Sequence, residues 1–195
     1  MMPFPRDPIP EVLRRNYKSW GKRFASRRST NPKAVFSWPT HNKQNMGQMI
    51  RSQLIRTGFN HCAYCDGFPL GETSLQTLDH FRPKSRHPLL ALVWHNLFLC
   101  CDICQNAKAE KFDRRLLKPD RLDYCFESFY YVDFRTGKLR PNPRAPADDQ
   151  GRADYTIQLL NLNRPERCKS RLAHLRLDTT DYEINDLPYR YLFSQ

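Results

Sequence analysis

The sequence predicts an α+β chain in which a small, metal-stapled core is set among additional helices and a short β-hairpin. Three observations carry that expectation. Two C-x-x-C pairs, Cys62 with Cys65 and Cys101 with Cys104, flank a segment of 35 residues. Apolar residues at helical spacing mark the chain on either side of that segment. One aromatic, β-branched run leads into a Gly-containing turn. With 195 residues the chain is long enough for one compact hydrophobic core with elaborations.

Taken in order, Pro8 and Pro10 precede Leu13, Tyr17, Trp20 and Phe24, which fall at spacings of four, three and four. Arg14, Arg15, Lys18, Lys22, Arg23, Arg27 and Arg28 surround them, which predicts an amphipathic, basic helix. Its apolar stripe is expected on the core, and its charge faces either phosphates or solvent. A polar connection runs from Ser29 to Pro39. Met46, Ile50 and Leu54 then predict a second helix over 42–57, ended by Gly58.

The stretch from His61 to Asp113 differs in composition, holding five cysteines. It predicts a zinc knuckle, a strand near Gln76 to Phe81 and a loop through Pro83 and Pro88. A second apolar segment from Leu89 to Val93 follows, then a helix from near Asp102 to about Phe112. Residues 128–134 read as a strand that Thr136-Gly137-Lys138 turns into a short partner. A Pro/Asp-rich loop spans 141–150, and helices are predicted over 152–161 and 165–177, the latter with Pro165 in its first turn. The expected organisation is a basic helical extension over 1–58, a core over 59–115 and a C-terminal elaboration over 116–195.

Lys and Arg total 32 against 20 Asp and Glu, a formal charge of +12 that is densest between Arg6 and Arg56. Such an excess favours polyanions, nucleic acid before anionic membrane. No segment approaches the ~20 apolar residues of a membrane span, and no apolar targeting core precedes the basic helix. The expectation is a cytoplasmic protein, not bound to membrane, whose cysteines are reduced and available to metal.

Each C-x-x-C presents two thiols able to bite one ion, and four together make a tetrahedral sulfur site suited to zinc. Two such pairs favour metal over ordinary buried thiols, and zinc over an iron–sulfur cluster, for which no partner redox centre is present. Four thiolates fill the coordination shell, so this ion is structural and chemistry has to come from elsewhere. Cys100, Cys125 and Cys168 lie outside the pairs and read as core or surface thiols.

The intervening loop holds Asp79, His80 and Asn96. An imidazole near its ordinary pKa of ~6.5 can take a proton from water at neutral pH. A carboxylate is a hard ligand for Mg²⁺ or a similar ion that polarises a phosphate. Neighbouring strand residues point to opposite faces. Asp79 and His80 therefore need either a bulge at the strand end or a geometry with metal on one side and water on the other. Asn96 is a candidate for holding the loop through its amide. Arg82, Lys84 and Lys108 are candidate phosphate contacts.

The runs C-A-Y-C, L-D-H-F-R-P-K-S and W-H-N-L-F-L-C-C-D-I-C-Q-N-A-K together resemble the HNH endonucleases of the zinc-knuckle kind. The resemblance implies a ββα-metal (HNH) core in which His80 is the general base and Asp79 a ligand of a catalytic divalent ion, Mg²⁺ or Mn²⁺. It places Asn96 at a loop-organising position and Cys62, Cys65, Cys101 and Cys104 on the structural zinc. The third signature position, ordinarily histidine or asparagine, falls on Gln105, so the second metal ligand is either Gln105 or Asn106. More narrowly, D-H-F-R-P-K-S-R-x-P, K-x-E-K-F-D, F-R-T-G-K and L-L-N-L-N-R resemble the HNH protein of Septu and related retron anti-phage systems. That likeness covers roughly residues 50 to 175. It implies a nuclease acting on nucleic acid, DNA before RNA, with an ABC-type ATPase partner through which oligomers form. The competing expectation is a zinc-stabilised binding or ATPase-docking subunit that no longer cleaves.

Overall fold

The computed structural model describes residues 1–193. Helix α1, Glu11–Thr30, buries Leu13, Trp20 and Phe24 on the stripe that their spacing predicts. Gly21 lets it lie directly on the chain at Leu89: a Cβ there would sit 2.9 Å from the Leu89 carbonyl oxygen. Strands β1, Thr40–His41, and β2, Gln44–Asn45, form a minimal hairpin around Asn42 and Lys43, both in the left-handed region at φ 48° and 64°. This hairpin takes the first residues of the predicted second helix, so α2 is Met46–Thr57. Asn45 caps it by accepting from the Gln48 amide at 3.1 Å.

Strand β3, Gln76–His80, pairs antiparallel with β4, Leu97–Cys101, in regular register from Gln76 opposite Cys101 to His80 opposite Leu97. The partner strand is therefore not the apolar segment Leu89–Val93. Pro88–Leu90 forms a 3-10 turn instead, and the continuously buried run Leu-Phe-Leu-Cys-Cys takes the ladder. Helix α3, Asp102–Lys108, follows β4 without a break. It stops four residues short of the predicted Phe112, because Ala109 turns left-handed at φ 47° as Lys108 is drawn inward.

After a short helix α4, Phe126–Phe129, strands β5, Tyr130–Asp133, and β6, Lys138–Pro141, make the expected hairpin. Helix α5, Ala147–Leu159, begins inside the predicted 141–150 loop, and α6 is Pro165–His174. One hydrophobic cluster draws on all three stretches of the chain, from Phe4 and Leu13 through Phe98 to Ile157 and Tyr191. Polar ties cross it as well. Arg190 grips Asp66 of the knuckle at 2.7 Å, and fully buried Arg171 donates to the Gly137 and Leu162 carbonyls and to the Tyr191 hydroxyl. Among the described residues no helix is long and apolar enough to cross a membrane.

Candidate functional site

The four paired cysteines converge. Their Sγ atoms all lie within 4.8 Å of one another, all four are buried, and Cys65 and Cys101 are 3.8 Å apart. A zinc–sulfur bond of ~2.3 Å gives a tetrahedron edge of about 3.8 Å, so the donor set fits one zinc ion. The knuckle is seated by the Ala63 amide donating to the Leu99 carbonyl at 2.9 Å, which places its two thiols beside the end of β4. Amides of Cys101 and Cys104 point at the sulfurs of Cys62 and Cys101, both at 3.3 Å. Cys100 turns the other way, to Thr77, while Cys125 donates to Glu127 and Cys168 to the Asn163 carbonyl, outside the four-sulfur group.

One contributor to this centre comes from far along the chain. Arg167, on α6, is 5% exposed and donates to Cys104 Sγ at 3.0 Å and Cys101 Sγ at 3.5 Å. Its charge partly offsets that of the thiolates, as partners behind metal ligands do. Hydrogen bonding from the neighbouring cysteines holds the Cys65 thiol low, while burial pushes Cys62 and Cys104 up. Nothing in the local sequence around Arg167 marks it for this role.

Beyond the zinc-binding cluster, β3 delivers Asp79 and His80 to opposite sides, as the pleat requires; the ladder is regular through both, and no bulge is present. Both nevertheless line one cleft of about 320 Å³ with Lys84, Gln105 and Asn106. Asp79, 5% exposed, accepts from the Tyr64 hydroxyl at 2.6 Å and from Lys108 Nζ at 3.3 Å on Oδ1, and the same ammonium is ion-paired 3.0 Å from Oδ2. Burial lifts its pKa, opposed by Lys108 and by the tyrosine. The sequence motif C-A-Y-C contains Tyr64, but its link to Asp79 required the fold.

His80, also 5% exposed, has Nε2 3.0 Å from the Ala91 carbonyl oxygen. A carbonyl only accepts, so Nε2 carries the proton and Nδ1 keeps its lone pair. Trp38 stacks on the imidazole at 5.8 Å with an 18° tilt, and Phe36 meets it edge-on at 5.5 Å. Burial, with Lys84 adding to it, brings the His80 pKa down to about 3, not the ordinary ~6.5 expected from the sequence, so the ring is neutral across the physiological range and a weaker base than a free imidazole. These two aromatics lie in the Ser/Thr/Asn/Pro-containing connection Ser29 to Pro39, where no site residue was expected.

Asn96 clamps the loop that follows β3. Its Oδ1 accepts from the Arg82 amide at 2.8 Å, and its Nδ2 donates to the carbonyls of Arg82 at 3.1 Å and Leu90 at 3.0 Å. That loop carries Ala91, the partner of His80. Gln105 donates its amide to the Leu78 carbonyl at 3.0 Å, leaving its own carbonyl oxygen as an available hard donor, and Asn106 is exposed beside it. Arg82 is exposed over the Phe112 ring at 5.3 Å, and half-buried Lys84 lies 5.7 Å from the Phe36 ring. Lys108 is fully buried between Asp79 and the His80 carbonyl, so in this arrangement it does not reach a surface phosphate.

Asp79 accepts two of the roughly four hydrogen bonds a carboxylate can take, from Tyr64 and Lys108. The open acceptor sites, with the amide oxygens of Gln105 and Asn106 on the same cleft, are a hard oxygen set that fits a divalent cation. The ββα order of β3, β4 and α3 with its four-cysteine cluster resembles a zinc-knuckle ββα-metal core.

No protein-family model matches the chain. Among curated proteins, the Septu protein PtuB of Bacillus thuringiensis is similar to it, with 32% identity over 59 residues. The match covers 30% of this chain and 23% of that protein's length.

Proposed function

We propose that this chain is a metal-dependent endonuclease of the HNH type, hydrolysing nucleic-acid phosphodiester bonds, DNA before RNA, in an anti-phage defence system with an ATPase partner. The observation that carries the reading is the state of His80, with Nε2–H committed to Ala91 and Nδ1 left as a neutral base at a cleft shared with Asp79. The four-cysteine cluster, the +12 charge and the likeness to the Septu protein support it. Defence rests on that likeness, and the ATPase partner on the resemblance of the sequence motifs alone.

In this mechanism His80 Nδ1 takes a proton from water, which attacks the phosphorus opposite the leaving oxygen. Trp38 and Phe36 keep the ring from turning, and the Ala91 carbonyl stabilises the imidazolium that forms. Lys84 and Arg82, at the cleft and beside it, hold non-bridging phosphate oxygens. Asp79 with Gln105 or Asn106 would hold a divalent ion, which when bound would supply positive charge to polarise the phosphate and offset the charge on the leaving oxygen. Lys108 and Tyr64 act as positioning residues, keeping the Asp79 carboxylate in place.

The test is cleavage of labelled DNA, RNA and tRNA with Mg²⁺ or Mn²⁺, with and without the candidate ATPase. His80→Ala should lower the rate by about 10²–10⁴ while zinc content and folding stay intact. Cleavage unchanged in that variant removes His80 from the role. A second reading, a zinc-stabilised binding or docking subunit, draws on the Lys108 ammonium already seated on Asp79 and on Gln105 at the third signature position. Absence of cleavage in every arm, alongside retained nucleic-acid or ATPase binding, selects it.

A further inference from the structure

Next to the cleft lies a second cavity, of about 310 Å³, that the hydrolytic residues do not use. Its lining combines Arg23 and Arg27 from α1 with the rings of Trp20, Phe24 and Phe36 and the hydroxyl residue Ser37. Phe36 is the wall between the two spaces: it lines this cavity, and its ring touches His80 and Lys84 of the other. The floor includes Leu92, next to the residue whose carbonyl holds His80. Arg28 fixes the end of α1 to the loop by donating to the Ser85 carbonyl at 3.4 Å, so helix and cleft keep one spacing.

The charges along α1 are not equivalent. Arg14 and Arg15 at its start are paired with Glu11 at 2.7 and 2.5 Å, which neutralises that end. Arg23 and Arg27 are exposed, one turn apart, and among the described residues neither has a carboxylate partner; Arg27 reaches only the Val35 carbonyl. Two unpaired guanidinium groups beside aromatic rings form the combination that binds one nucleotide of a single strand, phosphate on the arginines and base against the rings.

We infer that this cavity is a nucleotide subsite, in which Arg23 and Arg27 hold a phosphate flanking the scissile one and an unpaired base enters among Trp20, Phe24 and Phe36. The inference rests on the proposed nuclease reading and adds to it a substrate class: a strand with at least one unpaired nucleotide beside the cut. Substrate then runs from α1 across Phe36 into the His80 cleft.

The experiment measures fluorescence anisotropy of labelled single-stranded and duplex oligonucleotides on the zinc-loaded full chain in buffer without Mg²⁺ or Mn²⁺, so that binding is read without cleavage. Arg23→Gln/Arg27→Gln should weaken single-strand binding at least tenfold and reduce the dependence on log salt by about 0.7, from the one lost phosphate contact. Arg14→Gln/Arg15→Gln, on the paired end of the same helix, should leave affinity within twofold. Ser37→Phe, which fills the cavity without removing a charge, should also weaken single-strand binding. Equal effects of the two arginine pairs, or no effect of Ser37→Phe, overturns the subsite while leaving the nuclease reading in place. Failure of the unaltered chain to bind any oligonucleotide, alone or with the ATPase, overturns both.

Discussion

The Lys108 ammonium lies 3.0 Å from Asp79 Oδ2, with both side chains withdrawn from solvent. The cost of burying each charge is offset by the other, by the Tyr64 hydroxyl and by the His80 carbonyl. Lys108→Met removes one partner and leaves a carboxylate buried alone, and should lower the unfolding free energy by about 3–5 kcal/mol. Adding Asp79→Asn should return most of that loss, because the uncompensated charge goes with it. Urea denaturation of the four proteins of this cycle measures the coupling; a double variant no more stable than Lys108→Met contradicts it.

His80 makes stability depend on pH. Its folded-state pKa, about 3, lies below the ~6.5 of an unfolded chain. The unfolded state therefore binds a proton first, and this residue's contribution is complete above pH 6.5 and is lost as pH falls toward 3. The loss is on the order of 4 kcal/mol across that window. His80→Phe, comparably apolar, should flatten the acid limb of the stability curve in thermal melts from pH 4 to 7. Trp38→Ala should open the ring to water and move its pKa, followed by NMR, back toward 6.5. An unmoved resonance in that variant contradicts burial as the cause.

Arg167 should matter to the metal rather than to general folding. Arg167→Leu removes the donor to Cys104 and Cys101 and should weaken zinc binding by about 10–100-fold. Competition with a chromophoric chelator reads this directly. Zinc retention equal to the unaltered chain's would make the arginine a packing residue only.

Asn96 is expected to set the order of the loop after β3. Asn96→Ala strips three hydrogen bonds from buried or half-buried backbone groups of Arg82 and Leu90. Stability should fall by about 3 kcal/mol. Amide exchange over 82–91 should rise more than elsewhere, since the clamp is local. Uniform exchange along the chain in the variant would place the effect in the global core instead.

The apolar spacing of Leu13, Trp20 and Phe24, the β5–β6 turn and the convergence of four cysteines were legible because each depends on short-range pattern or on ligand chemistry that needs no knowledge of the rest of the fold. The sequence leaves Leu89–Val93 an apolar segment of no stated type and does not mark the strand at Leu97–Cys101, because apolar runs of similar length are indistinguishable by composition. The buried ladder at Leu97–Cys101 is chosen by which run can be covered on both faces.

The sequence by itself determined a four-cysteine cluster able to hold one metal ion, a basic amphipathic helix and an Asp-His pair inside the loop that the cluster closes. Only the tertiary structure decided which tautomer His80 holds, that Lys108 turns inward to Asp79 rather than outward, and that Phe36, Trp38 and Arg167 belong to these sites. The reason is physical: ligand type and periodicity are written in neighbouring residues. Desolvation and hydrogen-bond partnership, by contrast, arise between residues far apart in the chain, 66 positions for Arg167 and Cys101, and exist only once the core has closed around them.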